Sequence, residues 1–308
     1  MRIRNSVLVL ALSLGLPGAT LISEPAYGQA AQPTAEELYN SGMELYKAGE
    51  LKEAQTVLRK VDPLQLPRDK QPSFYGEIKV VDRGPLRFLL IDGGIQSTID
   101  VRNGLGAIEY PYMVETLAYR ANPTGSRALV IGLGAGLIVD AMESWNVTSD
   151  VVEIDAKIVD MAVRHFGFEP SGGEVHIGDG RRYLEDTDGR YDYVVLDAFA
   201  GEMVPVHLLS RAAFSAAREV MRTDGLLLLN YVGDRSGPRS RVAASIRKTL
   251  EAAFEHVETF EAGDEGEYGG NIFVASDSPI DISASQDAEP LPFPVHEVIR
   301  ESATRIRP

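Results

Sequence analysis

The sequence contains no cysteine at any of its 308 positions. Disulfide bridges, a lipid-bearing cysteine and a cysteine nucleophile are therefore excluded. The G-x-S-x-G motif, which exposes the nucleophilic serine of α/β-hydrolases, is missing as well. Both absences argue against an acyl-enzyme mechanism. The five histidines, at positions 165, 176, 207, 256 and 296, lack the spacing of metal ligands, so we predict no metal site.

Basic residues are in the minority. The chain has 30 Lys and Arg against 45 Asp and Glu, which gives a formal net charge of −15. A nucleic-acid-binding surface needs a basic footprint that neutralises phosphates, so we exclude nucleic acid as a partner. The negative charge suits a small cationic substrate, although it equally serves solubility. With 44% hydrophobic residues, the chain can bury one large core and carry appendages.

Residues 1–30 predict a secretory signal peptide. Arg2 and Arg4 precede an apolar run from Val7 to Leu16, and small residues follow between positions 26 and 30. The run is too short to favour a membrane-spanning helix. We therefore expect an exported protein, periplasmic or secreted, or one that an uncleaved N-terminal segment anchors to the membrane.

Residues 34–62 predict a helical hairpin, because apolar residues recur at helical spacing on both sides of a central glycine. Gly42, Ala54 and Leu58 have the relative spacing of a tetratricopeptide repeat, and the hairpin resembles one such unit. A single unit cannot bury its own apolar face. Two interpretations stay open: the hairpin packs on its own catalytic domain, or it forms a homodimer or binds a protein partner. The Pro-rich residues 63–75 are interpreted as a linker.

Residues 76–110 predict a small antiparallel β-sheet, since apolar and polar residues alternate between turns. An α/β domain follows over residues 111–276. Its strands are expected near 128–131, 150–154, 174–177, 192–196, 225–232, 256–261 and 271–276. With helices between them, these predict a doubly wound, Rossmann-like sheet of seven strands, of the type found in S-adenosylmethionine-dependent transferases. The tail 277–308, rich in Pro, Asp and Ser, is expected to be flexible.

Glycine or a carboxylate follows each of the first four strands of this sheet, at the edge where doubly wound folds bind nucleotides. Glycines let the backbone approach a ligand, and a carboxylate about 20 residues later can accept both ribose hydroxyls. A third position can accept the adenine amine, and a fourth can take a proton from an attacking amine. Each position also has a plainer interpretation as a tight turn or a cap. In order, they are Gly132, Gly134 and Gly136; Glu153; Asp179 with Gly180; and Asp197.

Residues 76–276 resemble the polyamine aminopropyltransferases, the spermidine synthase family. The resemblance rests on the order of LLIDGGIQST, EYPYMVETLA, VIGLGAG, VVEID, GDG, YDYVVLDAF and EYGGNIF. VLDAF followed by VPVHLLSRAAF is most similar to the divergent bacterial spermidine synthase-like branch. The resemblance implies that an aminopropyl group moves from decarboxylated S-adenosylmethionine to a small-molecule amine. The donor is then a co-substrate rather than a tightly bound cofactor, and methylthioadenosine is released.

The resemblance also implies residue roles. Asp197 is the expected proton acceptor. The expected binding residues are Glu153 at the ribose, Asp179 and Gly180 at the adenine, Gln96 on a strand beside the site, and Tyr112 and Tyr268 along the substrate.

The chain departs from this family where ammonium groups are expected to bind. Ala135 and Ala200 replace carboxylates, and Met113 replaces a glutamine. A buried ammonium without a partner is costly, and we expect Glu202 to substitute for one of the lost carboxylates. Three functions stay open, of which we favour the first: an aminopropyltransferase with an unidentified acceptor, a methyltransferase that uses ordinary S-adenosylmethionine, or an exported non-catalytic protein that binds a nucleoside or a polyamine.

Overall fold

A computed structural model describes residues 67–169, 172–199, 204–262 and 268–282, together with single positions between 41 and 57. The predicted signal peptide, Ala200, Glu202 and the tail from 283 onward lie outside the described residues. Positions 41, 42, 44, 45, 52, 53, 56 and 57 are helical, with a turn at Ala48 between them. This agrees with two helical segments in the predicted hairpin, whose assignment as a tetratricopeptide unit stays a prediction. In the described part of the chain, no helix is long and apolar enough to cross a membrane.

The first sheet has five antiparallel strands in sequential order. They are β1 (Asp69–Ser73), β2 (Gly76–Arg83), β3 (Leu86–Ile91), β4 (Gly94–Asp100) and β5 (Leu105–Gly106). The predicted linker is wrong over residues 69–73, which form β1 and pair with β2. The sequence of β1, DKQPS, lacks apolar alternation because β1 is an edge strand, where Pro72 is tolerated.

Helix α1 (Tyr110–Ala121) follows and has Pro111 at its first turn. Proline suits this place because the first amides of a helix have no intrahelical acceptor. Met113, Val114 and Leu117 of α1 are buried against the second sheet.

The second sheet has seven strands in the order β8-β7-β6-β9-β10-β12-β11. They are β6 (Arg127–Ile131), β7 (Thr148–Glu153), β8 (Val175–Ile177), β9 (Tyr191–Leu196), β10 (Met221–Asp234), β11 (His256–Ala262) and β12 (Tyr268–Ser276). The first five strands are parallel, and β12 runs antiparallel to β10 and β11. The chain starts at the central strand β6, proceeds to the edge strand β8 and then crosses to β9. The resulting switch point between β6 and β9 is where doubly wound sheets bind ligands. The predicted fold class is confirmed.

Helices cover both faces of this sheet. They are α2 (Leu137–Glu143), α3 (Ala156–Met161, continued by a π-helical turn over Ala162–Phe166), α4 (Gly180–Asp186), α5 (Arg211–Glu219) and α6 (Arg241–Glu251). One core packs α1, α2, α3 and the first sheet against the face that carries Leu228 and Ile272. The other packs α4, α5 and α6 against the face that carries Leu227 and Phe273. Because both faces are buried, the inner strands are nearly continuous apolar runs.

Candidate active site

The glycine-rich turn joins β6 to α2 at the switch point of the sheet. Gly132 has φ 95°, and a β-carbon there would lie 2.4 Å from the backbone oxygen of Asp197. Only glycine therefore lets this turn cross the end of β9. Gly134 and Gly136 complete the turn, also with positive φ. The amide of Ala135 donates to Ser97 Oγ at 3.0 Å, which ties the turn to β4.

Glu153 ends β7 and is 7% exposed. Its Oε2 accepts the amide of Leu133 at 2.9 Å, and its Oε1 accepts the amide of Asp155 at 2.9 Å. Burial raises the pKa of Glu153, and these amide bonds act against that rise. Each oxygen keeps a second lone pair, so the carboxylate can still accept two hydroxyl groups. Asp155, two residues later, caps α3 by accepting the amide of Lys157.

Asp179 follows β8 and caps α4. Its Oδ1 accepts the amide of Arg182 at 2.9 Å, and its Oδ2 lies 3.0 Å from His207 Nε2. Gly180 begins α4, where a β-carbon would lie 2.3 Å from Ile131 Cγ2. Gly180 therefore lets α4 pack closely on β6, next to the predicted adenine position.

Two isoleucines leave apolar surface at this same edge of the sheet. Ile154, directly after Glu153, is 40% exposed, and Ile177 at the end of β8 is 53% exposed. Exposed apolar side chains beside fixed hydrogen-bond acceptors are typical of small-molecule sites.

Asp197 follows β9 and receives a hydrogen bond at each oxygen. Asn230 Nδ2 donates to Oδ1 at 2.7 Å, and the hydroxyl of Tyr110 donates to Oδ2 at 2.9 Å. Burial raises the pKa of Asp197 to about 7, because the charged form loses hydration. The two hydrogen bonds partly offset this rise in pKa, and the negative charge of Glu153 contributes to it. A carboxylate in this state gains and loses its proton near neutral pH.

Tyr110 and Asn230 are the site residues that the sequence-based reasoning missed. Asn230 did leave a signal, since it is the polar residue that ends the apolar run LLLL in β10. Tyr110 lies two positions before the predicted Tyr112, on the same helix. The hydroxyl of Tyr112 instead donates to the carbonyl of Gly106 at 3.1 Å, so the two tyrosines have different partners.

Gln96 lies in a β-bulge of β4. Ser97 pairs with Leu89 and Ile95 pairs with Leu90, which leaves Gln96 as the extra residue between them. Bulges often re-aim a side chain beside an active site. Gln96 directly precedes Ser97, the side chain that binds the glycine turn, so the structure places it at the margin of the site.

Tyr268 begins β12, opposite Asp234 of β10. Tyr268 lies four residues before Ile272 on the same strand, so both side chains point to the same face of the sheet. Ile272 pairs with Asn230 on the neighbouring strand, and Tyr268 therefore shares its face with Asn230. The ammonium of Lys52 lies 5.5 Å from the centre of the Tyr268 ring. This contact favours the interpretation in which the N-terminal helical segment packs on its own catalytic domain.

Together these groups form one site along a single edge of the second sheet. Carboxylate oxygens at Glu153 and Asp179 suit the donors of a nucleoside, and Asp197 lies beside the glycine turn with a pKa near neutrality. Among the described residues, no three His, Asp or Glu side chains are grouped as metal ligands.

Comparisons with known proteins point to one family. The spermine/spermidine synthase domain matches residues 108–261. A polyamine aminopropyltransferase of Vibrio vulnificus is 38% identical over 130 residues, which cover 40% of this chain and 44% of that protein. An N-terminal histidine N-methyltransferase of Emericella nidulans is 33% identical over 150 residues, 47% of this chain and 26% of that protein. The chain thus spans less than half the length of these two relatives.

A solved structure shares the fold. A spermidine synthase crystallised with the transition-state analogue AdoDATO superimposes with a TM-score of 0.63 at 17% identity, over 77% of this chain and 84% of that one.

Proposed function

The chain belongs to the spermine/spermidine synthase domain family, which matches half of its length, and from this we propose that it is an aminopropyltransferase. The donor is decarboxylated S-adenosylmethionine, and the acceptor is an amine. The observation that carries the proposal is Asp197, a carboxylate beside the glycine turn with both oxygens hydrogen-bonded and a pKa of about 7.

The adenosyl half of the donor binds along the sheet edge. Glu153 accepts the ribose hydroxyls through the lone pairs that its two backbone bonds leave open. Asp179 accepts the adenine amine, and the ring lies against the exposed face of Ile154. The absence of a β-carbon at Gly132 lets the glycine turn cross the end of β9, which sets the turn beside Asp197.

The transfer step is a displacement at carbon. The neutral amine attacks the propyl methylene beside the sulfonium, a carbon–nitrogen bond forms, and the carbon–sulfur bond breaks with its electrons returning to sulfur. Methylthioadenosine leaves, and Asp197 accepts the proton that the amine loses. A base with a pKa near 7 suits this role, because it is ionised before the attack and still holds the proton afterwards.

A second candidate function is favoured by one observation. Ala135, where the family resemblance predicts a carboxylate for the donor's ammonium, is only 1% exposed. Without that carboxylate, the carboxyl group of ordinary S-adenosylmethionine is not repelled at this position. Methyl transfer is therefore the competing reaction, and one of the similar proteins is a methyltransferase.

Product analysis separates the two functions. The protein is incubated with each sulfonium donor and a panel of amines, and the released thioether is identified by mass. Methylthioadenosine, lost in Asp197→Asn and kept in Asp188→Asn at an exposed position, supports aminopropyl transfer. Release of S-adenosylhomocysteine alone supports methyl transfer. If neither product is released, both proposals are contradicted.

A further inference from the structure

His207 contacts the carboxylate that the proposed adenine site uses. Its Nε2 lies 3.0 Å from Asp179 Oδ2, and the two side chains are 50% and 39% exposed. The other oxygen, Oδ1, is occupied by the backbone amide of Arg182 at the start of α4. Removing that bond would uncap the helix. Oδ2 accepts no backbone amide and is therefore the more open oxygen of Asp179, and a ligand amine that binds there has to share this oxygen with His207.

The backbone at His207 is fixed even though its side chain is exposed. His207 belongs to a 3₁₀ turn (Val206–Leu209), in which Leu208 is buried at 3% exposure. Ser210 Oγ donates to the carbonyl of His207 at 2.9 Å and accepts from Arg181 Nη1 at 3.0 Å. These contacts hold the turn against α4 independently of the imidazole. The His207 side chain can thus rotate away from Asp179 while the turn stays in place.

We propose that His207 competes with the adenine amine for Asp179 Oδ2, so that nucleoside binding weakens as the imidazole becomes protonated. This inference rests on the proposed function, because it takes an adenosyl group as the ligand. It assigns His207 a role in setting the affinity of the donor site and its response to pH.

The physical reason is the difference between two hydrogen bonds at one oxygen. A neutral imidazole donates to the Asp179 carboxylate as an uncharged donor, whereas an imidazolium adds a positive charge beside the negative one and so forms a stronger bond. Histidine is the side chain whose charge ordinarily changes between about pH 5 and 8. The adenine amine is a neutral donor at both pH values, so it displaces His207 more easily when His207 is neutral.

Other ionisable groups surround this contact, and the experiment has to separate them. Arg181 on α4 binds Glu185 as well as Ser210. His176 on β8 packs against Tyr183 of α4 at 4.8 Å between ring centres, and its Nε2 lies 3.4 Å from Glu174. Within the site, burial raises the pKa values of Glu153 and Asp197. These groups are unchanged in a His207 variant, so the comparison between variants isolates His207.

The test is calorimetric titration with methylthioadenosine at pH 6 and pH 8. Methylthioadenosine has no sulfonium charge, so its affinity does not depend on an attraction between a sulfonium and the charge of Asp197. The variants are His207→Gln, which donates a hydrogen bond without titrating, and His207→Ala, which donates none. Between pH 8 and pH 6, we expect the affinity of the wild type to fall by a factor about five times larger than the affinity of His207→Gln does. His207→Ala should bind more tightly than wild type at pH 6. The same difference should persist in an Asp197→Asn background.

Three results would overturn the inference. Weaker binding in His207→Ala at both pH values would mean that His207 assists the adenine rather than competing with it. Equal affinities in all three proteins would mean that the contact with Asp179 is irrelevant to binding, while the proposed function would stand. No binding of methylthioadenosine to any of them would remove both the adenosyl site and the role of His207.

Discussion

The hydroxyl of Tyr110 lies 2.9 Å from Asp197 Oδ2, so a side chain from α1 holds the carboxylate that follows β9. Asn230 of β10 holds the other oxygen at 2.7 Å. Two elements distant in sequence thus fix the orientation of one carboxylate. A general base works only if it is oriented toward the proton it removes. Tyr110 is therefore a positioning residue for Asp197, the proton acceptor of the proposed reaction.

Replacing Tyr110 by phenylalanine removes this hydrogen bond and keeps the ring. Because the bond lowers the pKa of Asp197, we expect that pKa to rise in Tyr110→Phe. Asp197 must be ionised to accept a proton, so the acidic limb of the rate profile should move up by about one pH unit. The rate should fall at pH 7 and recover near pH 9. The measurement is methylthioadenosine release as a function of pH.

Tyr112→Phe is the matched control, because Tyr112 lies on the same helix and its hydroxyl donates to Gly106 rather than to Asp197. It should change the pH midpoint little. Equal midpoints in wild type and Tyr110→Phe would refute the role assigned to Tyr110.

Asp197→Asn should stabilise the protein in alkaline solution. The pKa of Asp197 is raised from 3.8 to about 7 in the folded state. Because the folded state holds this proton more tightly than the unfolded state, the proton stabilises the folded protein. This stabilisation is fully present below about pH 4 and is lost as the pH rises through 7. At pH 8 the folded protein holds a charge at a partly buried position, and asparagine removes that charge. We expect a gain on the order of 2 kcal/mol at pH 8 that vanishes toward pH 4, measured by urea unfolding.

The same measurement on Asp188→Asn gives the baseline, since Asp188 is exposed. A loss of stability in Asp197→Asn at pH 8 would show that the carboxylate is better solvated than its burial implies.

The positions of the three carboxylates at the sheet edge could be predicted from the sequence because they depend on a rule of topology. In a parallel sheet, residues that follow successive strands meet at one edge. Glu153, Asp179 and Asp197 each follow a short apolar run, and strand boundaries were recoverable to within a few residues. The rule needs no knowledge of side-chain contacts. It therefore predicts which residues share an edge but not which atoms they bind.

The contacts that could not be predicted depend on packing between distant elements. Whether Tyr110 or Tyr112 faces Asp197 depends on the rotation of α1 about its axis, and the core fixes that rotation. His207 reaches Asp179 through a turn with no periodic pattern. Edge strand β1 was missed because a strand paired on one side needs little apolar alternation.

Gly132→Ala should disrupt the site more than a backbone penalty alone explains. Gly132 has φ 95°, and the added methyl group would lie 2.4 Å from the Asp197 carbonyl. Gly104→Ala is a matched control, because Gly104 has φ 76° with nothing within 4 Å of the added carbon. We expect Gly104→Ala to cost about 1 kcal/mol and Gly132→Ala at least about 3 kcal/mol. Only Gly132→Ala should also lose methylthioadenosine binding. Similar costs in urea unfolding would contradict the close crossing of the turn over β9.

Lys52→Met should strengthen the binding of an amine acceptor. The Lys52 ammonium lies 5.5 Å from the centre of the Tyr268 ring, and a ring face attracts one cation at a time. An acceptor ammonium that uses this ring must therefore displace Lys52. Methionine keeps most of the length of the side chain without its charge. We expect the dissociation constant of 1,4-diaminobutane, measured in the presence of methylthioadenosine, to fall by about threefold.

Lys52→Arg keeps a cation over the ring and should bind 1,4-diaminobutane as the wild type does. This comparison separates the charge of Lys52 from the packing of its alkyl chain, because both variants retain an unbranched chain. A rise in the dissociation constant for Lys52→Met would show that Lys52 supports the acceptor instead of competing with it. Tyr268→Leu decides whether the ring is the shared element. In a Tyr268→Leu background, Lys52→Met should no longer change the dissociation constant, since two changes that act through one contact are not additive.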